Sequence, residues 1–367
     1  MSPDEAPRRV PLHPVHERLG ARFVTFSGHD MPVLYSSIQE EHARVRQAAG
    51  LFDVSHMGNL RIEGKGAAAL LSSVTVADIT ALPEGKGIYT VLPDDNGHII
   101  DDTIIYRTAP EDYYMVPNAG MHERIAEILE RRARRIEDDV VLQDVTRSTC
   151  ILALQGPKAP DVLQAAGAEV AAEPRFRVHE AELHGAPLIA TTTGYTGETG
   201  YELFVHNDHA KNVFEALLEA GTSHGLVPAG LGARDTLRIE MAYALAGHEF
   251  QGGRTPLEAK LAWTIHWDHD FVGREALLAL KEEGGYDRLV GLEMTGRGIP
   301  REGHRVLDPA GKRIGIVTSG TQSPTLGKAI GLAYVAPDHA KPGTTVAVEV
   351  RGKAIEARVV KTPFLKR

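Results

Sequence analysis

The amino-acid sequence predicts an α+β fold whose last part is a small β-barrel or β-sandwich. Up to about residue 278, helical and strand patterns mix without the regular alternation that is typical of a parallel α/β sheet. A polar, glycine-containing segment follows at 281–287, and beyond it the chain carries only short β-type runs. We therefore divide the chain into a first region at 10–278 and a C-terminal β-rich region at 287–366.

Two segments of the first region have the periodicity of amphipathic helices. Residues 38–49 form the first predicted helix, and residues 121–136 form the second. In the second helix, glutamates precede arginines by four residues, as in the pair Glu127 and Arg131, which is the favourable order. The arginine cluster at 131–135 is therefore interpreted as a solvated helix face, with docking to an acidic partner as the alternative.

Six short β-type runs make up the C-terminal region, with turn signals between them. They are 288–295, 304–308, 313–318, 329–335, 344–350 and 354–361. Strands of this length and spacing are typical of a barrel or sandwich of about 80 residues.

Composition and charge exclude several classes of protein. A formal net charge of −9 gives no overall attraction for nucleic acid, so no nucleic-acid partner is expected. Cys150 is the single cysteine, which excludes an internal disulfide and a multi-cysteine metal site built from this chain alone. There is no run of 18 apolar residues, and the acidic start lacks the pattern of a targeting peptide. We expect a cytoplasmic protein without a membrane span, and nothing in the sequence demands more than a monomer.

Standard catalytic and metal-binding motifs are missing from the sequence. It contains no G-x-S-x-G, no H-E-x-x-H and no Walker loop. His266 and His269 are three residues apart, but neither a helical pattern nor a third ligand accompanies them, so no metal site is predicted. Met57 is either a core residue or the wall of a flat apolar pocket, and Tyr89 is equally ambiguous when taken singly.

A hairpin signal introduces the most informative strand of the chain. Asn96 and Gly97 predict a two-residue hairpin turn, so a strand is expected to begin near His98. On that strand Asp101 and Asp102 face opposite sides, each between two apolar or β-branched neighbours. Such a carboxylate is either solvated near a sheet edge or held in a largely apolar pocket. In the pocket its pKa rises, and it can act in acid–base chemistry or hold a cationic nitrogen.

Two further segments carry charges that invite a partner. In 194–205, Glu202 shares a strand face with Phe204 and can accept two parallel N–H bonds from an arginine or an aminopyrimidinone edge. From this segment alone, an edge-strand charge that discourages aggregation is the favoured interpretation. In 230–245, Arg234 has the wrong sign for a helix start, which indicates a nearby carboxylate from Glu202 or from a ligand. The predicted buried stripe of that helix includes Leu237, Met241 and Leu245.

Nine segments, in this order and spacing, carry a resemblance to a known family. They are FDVSHMG (52–58), GKGIYTVL (85–92), GHIIDDTIIY (97–106), VPNAG (116–120), LQGPKA (154–159), GYTGETGYE (194–202), PAGLGARDTLRIE (228–240), FVGREAL (271–277) and TSGTQSPTLGKAIGLAYV (318–335). Over nearly the whole chain, the sequence resembles the aminomethyltransferases, the T-proteins of the glycine cleavage system.

The resemblance implies both a fold and a reaction. It implies a cloverleaf-like, three-part α+β structure that binds tetrahydrofolate, as a co-substrate, in a central cavity and ends in a small β-barrel. The implied reaction takes an aminomethyl group from the lipoyl arm of the H-protein partner. Its products are 5,10-methylenetetrahydrofolate, ammonia and the dihydrolipoyl H-protein.

The resemblance also assigns roles to individual residues. Asp102 matches the family's catalytic aspartate, which acts on the folate nitrogens. Glu202 matches the acid that grips the aminopyrimidinone edge of the pterin, and Arg234 matches the arginine beside it. The remaining positions that match the folate lining are Met57, Tyr89, Ile104, Tyr106, Asn118 and Tyr195.

One departure and two alternatives accompany the resemblance. His29 stands where the family usually has a tryptophan, which changes a pocket rim or a packing contact. A non-catalytic folate-binding accessory protein of iron–sulfur maintenance would need its cysteine in a K-G-C-Y-x-G-Q-E segment, whereas Cys150 lies in RSTCIL. The folate domain of sarcosine or dimethylglycine dehydrogenases would need a flavin domain, and the chain has no G-x-G-x-x-G. A stand-alone transferase is the preferred hypothesis.

Overall fold

A computed structural model describes residues 6–366 of the chain. The first five residues, which belong to the acidic start used above to argue against a targeting peptide, lie outside this range. No helix in the described range is long and apolar enough to cross a membrane.

Helices and strands are mixed along the chain. The helices are α1 His13–Arg18, α2 Ile38–Gln47, α3 Ala67–Val74, α4 His122–Ala133, α5 Ala159–Ala165, α6 Asn207–Gly221, α7 Leu231–Glu240, α8 Ala246–Glu249 and α9 Arg274–Glu283. The strands before α7 are β1 Arg8–Arg9, β2 Arg22–Phe26, β3 His29–Leu34, β4 Ala49–Asp53, β5 Leu60–Glu63, β6 Lys86–Pro93, β7 Ile99–Ala109, β8 Asp112–Pro117, β9 Val141–Asp144, β10 Thr149–Gln155, β11 Val178–Leu183, β12 Ala186–Thr191, β13 Gly200–His206 and β14 Leu226–Pro228. Those after it are β15 Arg288–Met294, β16 Arg305–Leu307, β17 Arg313–Gln322, β18 Ala329–Val335, β19 Thr345–Val350 and β20 Lys353–Val360.

These strands form three open sheets and one closed barrel. The open sheets have the orders β1-β3-β2, β11-β12-β13-β10-β4-β14 and β6-β7-β8-β5-β9, and the barrel has the order β15-β18-β17-β16-β19-β20. The predicted α+β class with a C-terminal barrel is therefore confirmed. Two compact units are present. The first contains the described residues up to Leu71, Ile79–Tyr89 and Thr103–Asp235, and the second contains Ser72–Asp78, Thr90–Asp102 and the described residues from Thr236 onward.

The core of the first unit lies on the six-stranded sheet. Helices α5 and α6 pack against it and contribute apolar residues at three- and four-residue intervals. On α6 these are Ala210, Val213, Phe214 and Leu217, all fully buried. In the second unit the barrel strands alternate, so that residues such as Val290 and Leu292 fill a separate apolar cluster.

Most of the predicted elements are confirmed, and three details are wrong. Helix α7 ends at Glu240, so Met241 and Leu245 lie beyond it and are only partly buried. The backbone turns away at Ala242, whose φ is +56°. The segment predicted as a linker at 281–287 begins inside α9, which continues to Glu283 and stops where Gly284 takes a positive φ.

The third correction concerns the hairpin before β7. The Asp94 amide donates to the His98 carbonyl at 2.8 Å, which closes a loop of three residues and not two. Gly97 takes a φ of +78° in this loop, where a side chain would be strained. The Asp94 carboxylate accepts the amides of Asn96 and His98 at 2.9 Å, which explains why the longer loop is stable.

Candidate functional site

Strand β7 presents its two aspartates to different environments. It lies between β6 and β8, so it is an interior strand, and the interpretation of acids solvated at a sheet edge does not apply. Asp101 is 0% exposed, whereas Asp102 is only partly buried. Because side chains alternate along a strand, Asp102 shares its face with Ile104 and Tyr106. Of the two aspartates, Asp102 is therefore the less buried one.

A hydrogen-bond chain anchors the Glu202 carboxylate. The Tyr106 hydroxyl lies 2.8 Å from Thr193 Oγ1, and Thr193 Oγ1 donates to Glu202 Oε2 at 2.6 Å. Burial raises the pKa of Tyr106, and the negative charge of Glu202 raises it further, so the phenol stays protonated. The ring of Tyr106 fits only because residue 87 is glycine, where a Cβ would lie 2.5 Å from it.

The sheet position of Glu202 overturns the edge-charge interpretation. Strand β13 is bonded on one side to β12 and on the other to β10, so Glu202 sits in an interior strand. A carboxylate there does not serve to keep neighbouring chains away. One of its oxygens accepts the Thr193 hydroxyl, which restricts the orientation of the carboxylate.

Arg234 lies over an aromatic ring beside this carboxylate. Its guanidinium carbon is 4.6 Å from the ring centre of Tyr195, a cation–π contact. Burial lowers the pKa of Arg234, while the charge of Glu202 opposes that shift. Arg234 and Glu202 thus place a cation and an anion close enough to interact within the first unit.

The side chain of Gln155 anchors the loop that carries Tyr195 by hydrogen bonds. The amide nitrogen of Gln155 donates to the carbonyls of Thr193 at 3.1 Å and of Tyr201 at 3.3 Å. Its carbonyl oxygen accepts the Thr196 hydroxyl at 2.8 Å. A Cβ at Gly194 would lie 1.9 Å from this oxygen, so the first glycine of the GYTGETG segment is required for the contact. Sequence reasoning missed the role of Gln155.

Helix α2 also reaches this loop. Arg46 donates to the Thr196 carbonyl at 2.6 Å and to Glu198 Oε1 at 2.8 Å, and both charged side chains are buried. Sequence reasoning missed this pair as well. A signal was present, since the buried stripe of α2 contains Glu41, His42, Val45 and Arg46, and only one of these is apolar.

The FDVSHMG segment is fixed by a buried polar network. Asp53 accepts His16 Nε2 at 2.8 Å and the Ser55 amide at 2.8 Å. The Ser55 hydroxyl lies 3.1 Å from Cys150 Sγ. Cys150 is buried, and burial raises the pKa of its thiol, which disfavours the reactive thiolate.

His56 follows this network and precedes Met57, which is partly exposed. The imidazole is only 2% exposed, and its Nδ1 has no hydrogen-bond partner within residues 6–366. Burial, followed by the positive charge of Arg234, lowers the pKa of His56 to about 3. His56 is therefore neutral at physiological pH and adds no positive charge beside Arg234.

We expect the neutral state of His56 to make stability depend on pH. In the folded protein the pKa of His56 is about 3, below the usual 6.5. Below pH 6.5 the imidazole therefore binds a proton in the unfolded chain but not in the folded protein. Stability should fall by about 2 kcal/mol more between pH 7 and pH 5 than in a His56→Gln variant. Urea unfolding at both pH values measures this. The exposed His184 supplies a control, since His184→Gln should keep the wild-type slope. An equal slope in His56→Gln would contradict the assignment.

The remaining predicted residues occupy separate positions. Tyr89 lies on β6, and Asn118 directly follows β8; both are partly exposed. Their assignment to a ligand stays a prediction, as it does for Met57 and Ile104. His29 starts β3, and its Nδ1 donates to the Ser27 carbonyl at 3.0 Å. Within the described range, no group of three His, Cys, Asp or Glu side chains is arranged to hold a metal ion.

Comparisons with known proteins agree over the full length of the chain. The family model of the GCVT N-terminal domain matches residues 12–269, and that of the glycine cleavage T-protein C-terminal barrel domain matches residues 288–366. A curated aminomethyltransferase of Chloroherpeton thalassium is 43% identical over 360 residues, which cover 98% of this chain and 99% of the relative. One of Symbiobacterium thermophilum is 44% identical over 370 residues, covering 99% and 98%. The crystal structure of the glycine cleavage system aminomethyltransferase T from Bartonella henselae has a TM-score of 0.90 and 34% identity, with 98% of each chain covered.

Proposed function

Because this chain belongs to the glycine cleavage T-protein family and is an aminomethyltransferase, we propose that it transfers a one-carbon unit from the H-protein to tetrahydrofolate. The donor is the aminomethyl group on the lipoyl arm of the H-protein. The products are 5,10-methylenetetrahydrofolate, ammonia and the dihydrolipoyl H-protein.

The proposed reaction needs no oxidant or reductant. The methylene carbon loses its bonds to sulfur and to the amino nitrogen, and it gains bonds to N5 and N10 of the folate. The protons released from N5 and N10 pass to the sulfur and to the departing ammonia. Such a reaction calls for positioning and electrostatic stabilisation, without a protein nucleophile.

In this proposal Asp102 is the catalytic group. It prepares N5 to attack the aminomethyl carbon and stabilises the cationic iminium that forms when the leaving group departs. Its partial exposure, in contrast to the complete burial of Asp101, supports this choice within the pair. A fixed negative charge beside a developing cation lowers the barrier without reorganisation of solvent.

The pterin is proposed to bind through Glu202 and Arg234. The observation that carries the proposal is the Glu202 carboxylate, anchored on one oxygen by Thr193, with Arg234 stacked on Tyr195 beside it. A carboxylate can accept two N–H groups from an aminopyrimidinone edge, while an arginine can donate to its carbonyl oxygen. The lining of the folate is proposed to come from Met57, Tyr89, Ile104, Tyr106, Asn118 and Tyr195, with the tyrosines supplying flat faces.

A direct assay tests the function. Purified protein is incubated with fully aminomethylated lipoyl H-protein and tetrahydrofolate, and methylenetetrahydrofolate and ammonia are measured. Equal amounts of both products support the transfer. Tight folate binding without either product would instead favour a folate-binding accessory protein.

Glu202→Ala should weaken tetrahydrofolate binding by roughly 10- to 100-fold, because about 1.5–3 kcal/mol of hydrogen bonding to a charged group is lost. The turnover of the saturated enzyme should change much less, since Glu202 does not face the reacting carbon in this proposal. Calorimetric titration measures the dissociation constant. Glu180→Ala, which removes an exposed carboxylate on β11 of the same sheet, is the matched control and should leave the dissociation constant unchanged. An unaltered constant in Glu202→Ala would remove the pterin role.

A further inference from the structure

Helix α2 carries two buried charged side chains that have no part in the proposed reaction so far. Glu41 is 1% exposed and Arg46 is 7% exposed, and both belong to α2. Burying a charged side chain is costly unless it is fully bonded, so the bonds these two groups make indicate their use. Each reaches a different segment of the first unit.

Glu41 holds the start of helix α7. Its carboxylate accepts the amides of Tyr35 at 2.6 Å and Ser36 at 3.0 Å with one oxygen, and that of Gly230 at 2.9 Å with the other. The Gly230 carbonyl in turn accepts the amide of Arg234 at 3.1 Å. Through its N–H and its carbonyl, Gly230 therefore links the Glu41 carboxylate to the backbone amide of Arg234.

Close packing fixes the same junction. A Cβ at Gly230 would lie 2.4 Å from the backbone of Val33, and one at Gly232 would lie 2.6 Å from the side chain of Ile38. Ile38 is the first residue of α2. The first turn of α7 is thus packed closely against Val33 and the first residue of α2, and a side chain at Gly230 or Gly232 would not fit.

Arg46, near the C-terminal end of α2, fixes the segment that carries Tyr195, the ring on which Arg234 stacks. Its bonds to Thr196 and Glu198 fix the backbone on the C-terminal side of Tyr195. The rise along an α-helix is 1.5 Å per residue, and Arg46 lies five positions after Glu41, so the backbones of the two residues are about 7–8 Å apart along the axis of one helix.

We propose that α2 is a positioning platform that sets the stack of Arg234 on Tyr195, with Glu41 aligning the arginine and Arg46 aligning the tyrosine. Neither Glu41 nor Arg46 is a catalytic residue here, since each acts through a backbone segment. The consequence for folate binding rests on the proposed function, whereas the positioning itself does not.

Hydrogen exchange of the protein without ligand tests the positioning. In Glu41→Gln, one N–H of the new amide opposes the backbone donors, so the amides of Gly230 and Arg234 should exchange about ten-fold faster. In Arg46→Lys, the acceleration should fall on residues 194–200 instead. Glu258→Gln is the matched control, because Glu258 also accepts a backbone amide, that of Thr255 at 2.9 Å, in the second unit. Unchanged exchange at 230–236 in Glu41→Gln overturns the proposal.

A double-mutant cycle tests the consequence. Glu41→Gln should weaken tetrahydrofolate binding about ten-fold in the wild-type background, but by less than about two-fold in Arg234→Gln, where the group it aligns is gone. A general loss of stability would weaken binding equally in both backgrounds, and that additive result would contradict the proposal. If the wild-type protein bound no folate, the proposed function would fail, while the exchange result would still decide the positioning role.

Discussion

Replacing Asp102 with asparagine is expected to lower kcat by about 10²- to 10⁴-fold, the range that loss of an acid–base group costs. Asparagine has the same shape, but it carries no charge to set against the iminium and cannot take up a proton. The dissociation constant for tetrahydrofolate should stay within about three-fold of wild type, because the lost interaction belongs to the transition state. Single-turnover formation of methylenetetrahydrofolate and a separate binding titration measure the two quantities.

Asp101→Asn is the matched control, since it makes the same change one residue away. Asp101 is fully buried on the opposite face of β7, so its replacement should lower thermal stability and leave the rate of the folded protein close to wild type. A silent Asp102→Asn together with an inactive but folded Asp101→Asn would reverse the assignment within the pair.

Sequence reasoning predicted the barrel well because its signals are local. Each of the six strands is a short β-type run bounded by turn residues, and each of the six predicted runs overlaps one of the strands from β15 to β20. The end of α7 was wrong for the opposite reason. The Glu240 carboxylate accepts hydrogen bonds from Ser323 and Thr325, which lie more than eighty positions away. The hydrophobic periodicity of residues 230–245 contains no information on such distant contacts.

The candidate site shows the same division. Glu202 and Arg234 stood out in the sequence because a charge in a strand and a cation at a helix start are locally odd. Arg46 reaches Glu198 across 152 positions, and Gln155 reaches Thr193 across 38, so neither role could be predicted from spacing.

The largest stability effect is expected at the buried pair of Arg238 and Glu249. Arg238 Nη1 donates to Glu249 Oε2 at 2.9 Å, and these side chains are 2% and 0% exposed. The other glutamate oxygen accepts the Ser319 hydroxyl at 2.6 Å, which also accepts from Arg238 at 2.8 Å. Glu249→Ala should lower the free energy of unfolding by about 3–5 kcal/mol, because it leaves a guanidinium buried without its counter-charge. Urea unfolding of the full chain measures the loss.

A second ion pair of the same unit separates the effect of burial from that of pairing. Lys328 Nζ lies 2.8 Å from Glu293 Oε1, a distance that matches the buried pair, but these side chains are 54% and 31% exposed. Water and salt screen such a pair, so Glu293→Ala should cost less than about 1 kcal/mol. If both alanine variants lost the same stability, pairing alone would explain the effect, and the burial argument would be wrong. The double variant Arg238→Met/Glu249→Met should recover much of the stability that Glu249→Ala loses. Two apolar side chains of similar length leave no buried charge without a partner, so such a recovery would assign the cost to the unpaired guanidinium.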